Sequence, residues 1–150
     1  MTTVTEHIRK SHNVTLLMYH LVFPVKFRQK IFTKEVENTL KSVCDEISQR
    51  YEIKFLEIGT DENHVHFLVQ SVPDLSVTRL VTIIKSIIAR EIFKVHPEIK
   101  KFLWGVSLWS SGYYANTVGK FGSEQAVIKY INEQSKSYKS IFSNQLKLFE

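Results

Sequence analysis

Glycine and proline are scarce in this chain, at five and three among 150 residues, so collagen-like repeats, low-complexity tracts and long flexible linkers are excluded. Cys44 is the only cysteine, which rules out an internal disulfide; its place in a helical apolar pattern assigns it to core packing. No apolar run reaches the length of a membrane span, and residues 1–13 carry His7, Arg9, Lys10 and His12 where a signal peptide needs a hydrophobic stretch. The expected location is the cytoplasm. No glycine-rich loop of the Walker kind occurs either, so no nucleotide cofactor is expected. What the chain does have is 43% hydrophobic residues, enough for one domain over residues 1–150 with a true core. Twenty Lys and Arg against fifteen Asp and Glu give a net charge of +5. The resulting pI of about 9.3 favours polyanions without identifying one.

Residues 14–23, Val-Thr-Leu-Leu-Met-Tyr-His-Leu-Val-Phe, are too apolar and aromatic for a surface segment and stop at Pro24, which reads as a central strand. A basic loop, Lys26-Phe27-Arg28-Gln29-Lys30, follows. Val36, Leu40, Val43, Cys44 and Ile47 recur at helical spacing between charged residues and predict an amphipathic helix over residues 34–50. Residues 53–58 and 64–69 are strand-like, and the polar, glycine-containing link between them predicts an antiparallel hairpin. Val77, Leu80, Val81, Ile84, Ile87 and Ile88 predict a second helix to about residue 94, and residues 109–118 supply a fourth strand. The order strand, helix, strand, strand, helix, strand is a split βαβ pattern. It predicts an α+β fold, a ferredoxin-like antiparallel sheet with both helices on one face. Gly119 and Gly122 then suggest a hinge, and Ser123 is a suitable N-cap for a third, C-terminal helix to about Lys136. Residues 137–150 mix polar side chains with Ile141, Phe142, Leu146, Leu148 and Phe149 and give no assignable pattern.

The chemistry centres on His64-Val65-His66, beside the acidic turn Asp61-Glu62-Asn63. Alternate strand residues point the same way, about 7 Å apart, close enough for two imidazoles to lean onto one cation. Two histidines rarely suffice for a metal, and the third helix offers a further donor. Tyr130 and Gln134 are four residues apart and share a helical face, so docking that face on the sheet delivers a phenol and an amide oxygen together. An amide oxygen is a hard ligand, suited to magnesium or manganese.

His64-Val65-His66 on the third strand, followed downstream by Tyr130-Ile131-Asn132-Glu133-Gln134, resembles the single-tyrosine HUH transposases of the 200/605 insertion-sequence family, to which the REP-associated tyrosine transposases are related. The likeness extends through Tyr19-His20-Leu21-Val22-Phe23, the basic loop, Leu103-Trp104, Leu108-Trp109 and Thr117-Val118-Gly119. It implies cleavage and rejoining of single-stranded DNA: Tyr130 attacks the scissile phosphate, leaving a 5′-phosphotyrosine and a free 3′-hydroxyl, with the divalent ion on His64, His66 and Gln134. A phenol with an ordinary pKa of about 10 needs that ion or a nearby base to become nucleophilic. The likeness also implies subterminal DNA hairpins as partners and a homodimer whose active sites combine the tyrosine helix of one chain with the histidines of the other. Lys26, Arg28 and Lys30, with Lys85 and Arg90 on the second helix, are expected at phosphates, and Phe27 against an unpaired base. Asn63 stands where many relatives have an acidic residue, and Ser86 where glycine is common; neither removes a catalytic group.

Plainer readings stand beside these. Isolated strand histidines usually bind no metal, and Asp61 reads first as a turn residue, second as a group that orients a histidine. Tyr113, Tyr114 and Tyr138 are rival nucleophiles that rank below Tyr130: the first two fall in the predicted fourth strand, where aromatics commonly pack, and Tyr138 has no ligand-like partner four residues on. His20 is expected in the core or behind the ligands, and Trp104 and Trp109 in packing or dimer contacts. A domesticated hairpin-binding protein or regulator is the alternative function. An RNA-binding module of similar topology lacks its Lys/Arg-Gly-Phe strand signature here.

Overall fold

A computed structural model describes residues 7–10, 13–105, 107–118 and 139–143. Its centre is an antiparallel sheet of five strands: β3 (Leu17–Pro24), β4 (Lys54–Thr60), β5 (His64–Ser71), β6 (Tyr114–Thr117) and β7 (Lys139–Ser143), in the order β6-β3-β5-β4-β7. A short ribbon of β1 (Ile8–Arg9) and β2 (Val14–Thr15) precedes them. The first four sheet strands carry the ferredoxin-like order, as expected; β7 adds an edge that the sequence pattern did not announce.

Two helices cover one face. In α1 (Lys34–Arg50) the Thr33 hydroxyl accepts from Val36 N at 3.3 Å, and Glu35 and Glu37 sit in the first turn, where the helix dipole favours negative charge. In α2 (Val77–Val95) the Ser76 hydroxyl caps Arg79 N at 3.1 Å. Ile83, Ile84, Ile87, Ile88 and Ile92 are all buried in α2. β-Branched side chains are indifferent helix formers, so packing rather than propensity holds this helix. A short α3 (Pro97–Phe102), with proline in its first turn, follows.

Strand alternation divides the sheet residues between two faces. Leu21, Phe23, Val65, Phe67 and Val69 point into the core with Leu40, Ile47, Leu80, Ile84 and Ile88. Cys44 is buried there too, and burial pushes its thiol pKa well up, which agrees with a packing role. Phe55 and Ile58 are both in this core although they are three residues apart. A β-bulge explains it: Phe55 pairs with Val69 and Glu57 with Leu68, so Leu56 is the extra residue.

The predicted fourth strand is shorter than expected. Only Tyr114–Thr117 pairs with β3, while Trp109 makes a single bridge to Val25. The reason lies in side chains: Lys85 Nζ donates to the carbonyls of Ser110 at 2.9 Å and Gly112 at 3.3 Å, and Trp109 Nε1 donates to Lys85 O at 3.0 Å. These bonds fold residues 109–112 onto α2 instead of into the ladder. The first strand, likewise, breaks at Leu16 into β2 and β3.

Candidate active site

The face of the sheet opposite the helices carries the histidines. β3 and β5 pair without interruption from Leu17↔Ser71 to Pro24↔His64, so Val22 lies opposite His66. On β6, Tyr114 pairs with Val22 and Asn116 with His20. The register therefore brings three imidazoles into a row. His64 and His66 have ring centroids 6.4 Å apart, and His66 stacks on His20 at 5.8 Å and 20°. Tyr114 meets His20 edge-on at 6.3 Å.

Electrostatics keep the row neutral. Burial, then the neighbouring His20 and His64, push the His66 pKa down to about 4. Burial lowers His20 as well. His64 is lowered by burial and by Arg28, with Asp61 acting in the opposite direction on both strand histidines. Neutral imidazole is the form that ligates metal.

Arg28 sharpens this. Its guanidinium sits on His64 Nε2, and since arginine is always the donor, Nε2 must accept, so the proton is on Nδ1. A cation thus already faces the lone pair that a divalent ion would use. The two imidazoles fit such an ion as neutral, same-facing donors, although among the described residues no group of three or more His, Cys, Asp or Glu side chains is placed to hold a metal. The expected third ligand Gln134 and expected nucleophile Tyr130, with the third helix that carries them, the Gly119–Gly122 hinge and the rival Tyr138, lie outside the described residues.

Asp61 is where the turn reading puts it. Its N–H donates to His64 O at 3.0 Å and its carboxylate accepts from Glu62 N at 2.8 Å, closing the β4–β5 hairpin at the entrance to the histidines. Arg28 gets its reach from an unusual backbone. Phe27 has φ 57° and Arg28 φ 53°, both left-handed, inside a 3-10 turn at Lys26–Arg28. Side chains rarely adopt that region, at a cost of about 1–3 kcal/mol each, and such strain gathers at functional sites.

The sequence matches the IS200-like transposase family model over residues 13–134, which takes in most of the chain. The chain belongs to this family. The ISDra2 transposase TnpA of Deinococcus radiodurans is 30% identical over 118 residues, covering 79% of this chain and 84% of that protein. The IS200 transposase of Salmonella typhimurium is 27% identical over 79% of this chain and 78% of its own length. Among solved structures, a transposase from D. radiodurans superposes with a TM-score of 0.67 at 25% identity, covering 85% of this chain and 98% of that one. A REP-associated tyrosine transposase bound to a REP hairpin has the same fold, with a TM-score of 0.54 at 9% identity over 87% of this chain and 73% of that one.

In this transposase the basic residues singled out from sequence divide between two places. Lys26, Arg28 and Lys30 stay on the loop beside the histidines, where Lys30 pairs with Glu62 at 3.4 Å. Lys85 and Arg90 are on α2, across the sheet; Arg90 is exposed, but the Lys85 ammonium is occupied as a staple on residues 110–112. Tyr113 and Tyr114 are exposed at the β6 edge rather than packed, as strand aromatics usually are. His20 is buried and stacked on His66, in line with its expected place in the core or behind the histidine pair. Its parity with Val22 was legible, but only the strand register shows that it stacks on His66.

Proposed function

We propose that this transposase cleaves and rejoins single-stranded DNA at element ends through a 5′-phosphotyrosine on Tyr130, with His64, His66 and Gln134 holding a magnesium or manganese ion. The observation that carries the reading is the pair of neutral imidazoles on one face of β5, with a guanidinium already at the His64 lone pair. The family assignment supports the same chemistry. When bound, the ion supplies charge neutralisation at the phosphate oxygens.

The side chains do the rest. The Tyr130 oxygen forms a bond to phosphorus as the bond to the 3′-oxygen breaks; the phenolic proton departs and the 3′-oxygen gains one. The phosphotyrosine conserves the ester, so a later 3′-hydroxyl reverses the step without ATP. His20 stacks behind His66 and fixes the plane of its ring. Arg28, whose guanidinium lies beside His64, would pair with a phosphate oxygen brought to the histidines. Hairpin-bearing strands are the expected substrate, in line with the hairpin on the REP-associated neighbour.

Incubating the protein with labelled hairpin-bearing single strands from the flanking locus and magnesium should give an adduct that survives denaturation. Tyr130→Phe should give none; an equal adduct would overturn the nucleophile. Hairpin binding without any adduct from any strand would favour a DNA-binding regulator instead. Composite sites in a homodimer predict that mixing Tyr130→Phe with His66→Ala protein restores adduct, and failure to do so assigns the tyrosine to its own chain's histidines.

A further inference from the structure

Trp104 is 83% exposed, the most exposed of the large hydrophobic side chains among the described residues, and Phe27 is 50% exposed. The two rings nevertheless meet, with centroids 5.8 Å apart and planes inclined at 50°. Both residues hold left-handed backbone, Phe27 at φ 57° and Trp104 at φ 59°. Two separate turns therefore adopt a conformation that bulky side chains avoid, and the result is an aromatic pair held out in solvent. Core packing is not its purpose.

The surroundings are cationic. Lys26 Nζ lies 5.7 Å from the Phe27 ring centroid, and Lys100 and Lys101, both exposed, end the helix that leads into Trp104. The turn is held by main-chain bonds, Trp104 N to Lys101 O at 2.9 Å and Gly105 N to Lys100 O at 2.8 Å, so the indole is free of any capping duty. Arg28, next to Phe27 in sequence, reaches His64. One short turn thus joins the aromatic pair to the histidine row. Exposed aromatic rings flanked by ammonium groups suit a ligand that is flat and carries anions on either side, and an unpaired nucleotide has that chemistry.

The geometry points to Trp104 and Phe27 as a stacking platform for one unpaired base of the strand whose scissile phosphate lies at the histidines, with Lys26, Lys100 and Lys101 on its flanking phosphates. This assignment rests on the single-strand reading above and adds to it the place where a base, not only a phosphate, is held. The exposure of Trp104 sets aside the packing half of its sequence expectation, and the test below weighs the platform against the other half, a contact between copies.

The test compares a short oligothymidylate with an abasic strand of the same length, which keeps the phosphates and lacks the bases. Oligothymidylate should quench wild-type tryptophan emission and the abasic strand should not; Trp109 is buried and supplies a constant background. Trp104→Ala should weaken oligothymidylate binding on the order of 10-fold and leave abasic-strand binding unchanged, with Trp104→Tyr restoring most of the difference. Equal loss for both strands, or no loss, overturns the platform. A change in solution mass with unchanged DNA binding also overturns it, because the patch is then a contact between copies. Failure of wild type to bind either strand at low salt instead removes the single-strand reading itself, whereas tight wild-type binding that ignores Trp104 removes only the platform.

Discussion

Neighbouring residues of β5 face two different worlds. Phe67 points to the helices and meets Phe23 and Phe55, with ring centroids 5.4 and 5.5 Å away, in the buried core. His66, one residue earlier, points the other way into a row of imidazoles kept neutral by burial and by each other. The first face lowers the free energy of the fold: each fully buried Leu, Ile or Phe contributes about 1.5–3 kcal/mol. The second works against it, because each imidazole gives up favourable protonation and solvation on burial. A single strand can serve both because its side chains alternate, so stability and reactivity are separable by one position in sequence.

The contrast can be broken most strongly at that pair. Phe67→Ala should cost about 3–5 kcal/mol in urea unfolding. His66→Ala should leave the unfolding midpoint nearly unchanged while cutting adduct formation on the order of 10³-fold. If His66→Ala unfolds the protein as readily as Phe67→Ala, the two faces are not functionally distinct.

A pH series sharpens the same comparison. The folded His66 is neutral down to about 4, whereas the unfolded imidazole takes up its proton near the ordinary histidine value. Between these limits the unfolded state binds more protons, so stability is full above the ordinary value and falls as pH drops toward 4. With allowance for partial exposure the loss is on the order of 2 kcal/mol, and His20 and His64 shift in the same direction. Urea midpoints across that window should show a shallower slope for His66→Phe than for wild type; identical slopes would remove His66 as a cause.

At the β7 edge, Glu37 is buried and accepts from Thr60 Oγ1 at 2.6 Å and from Lys139 Nζ at 3.0 Å. Lys139→Ala should destabilise by about 1–2 kcal/mol, because it leaves a buried carboxylate short of a donor. Hydrogen exchange should report faster opening of β7 than of β5, and equal rates would mean that Lys139 does not pin the edge. The smallest effect belongs to the helix side: Ser76→Ala removes the α2 cap and should cost about 1 kcal/mol without altering DNA cleavage.

Much of this was legible in the sequence because it was periodic. The α1 pattern of Val36, Leu40, Val43, Cys44 and Ile47 is all buried on one helix face, and the helix ends at Arg50 as expected. The second helix runs one residue past its expected end, to Val95. What had no period was missed or blurred. The α3 segment is only six residues long, too short to show an apolar repeat. β7 contains Ile141 and Phe142, but its ladder with β4 has a register shift between Ile58 and Gly59, so no clean alternation marks it. The site was legible where its residues share a strand, as His64 and His66 do. His20 and Arg28 join them through register and through a left-handed turn, neither of which local sequence encodes as a pattern. Tyr130 and Gln134 rest on family likeness and remain the proposal's principal residues.

The bulge at Leu56 has an evolutionary consequence. Because β4 already carries one residue beyond its pairing, losing Leu56 would leave Phe55 opposite Val69 and Glu57 opposite Leu68, at the expense of filling its buried place. β5 has no such slack, being paired residue for residue with β3 along its whole length. A deletion there would flip the parity of the residues on one side of it, turning a histidine toward the helices or Phe67 toward the histidine face. Among lineages of this transposase, length should therefore drift in β4 and stay fixed in β5.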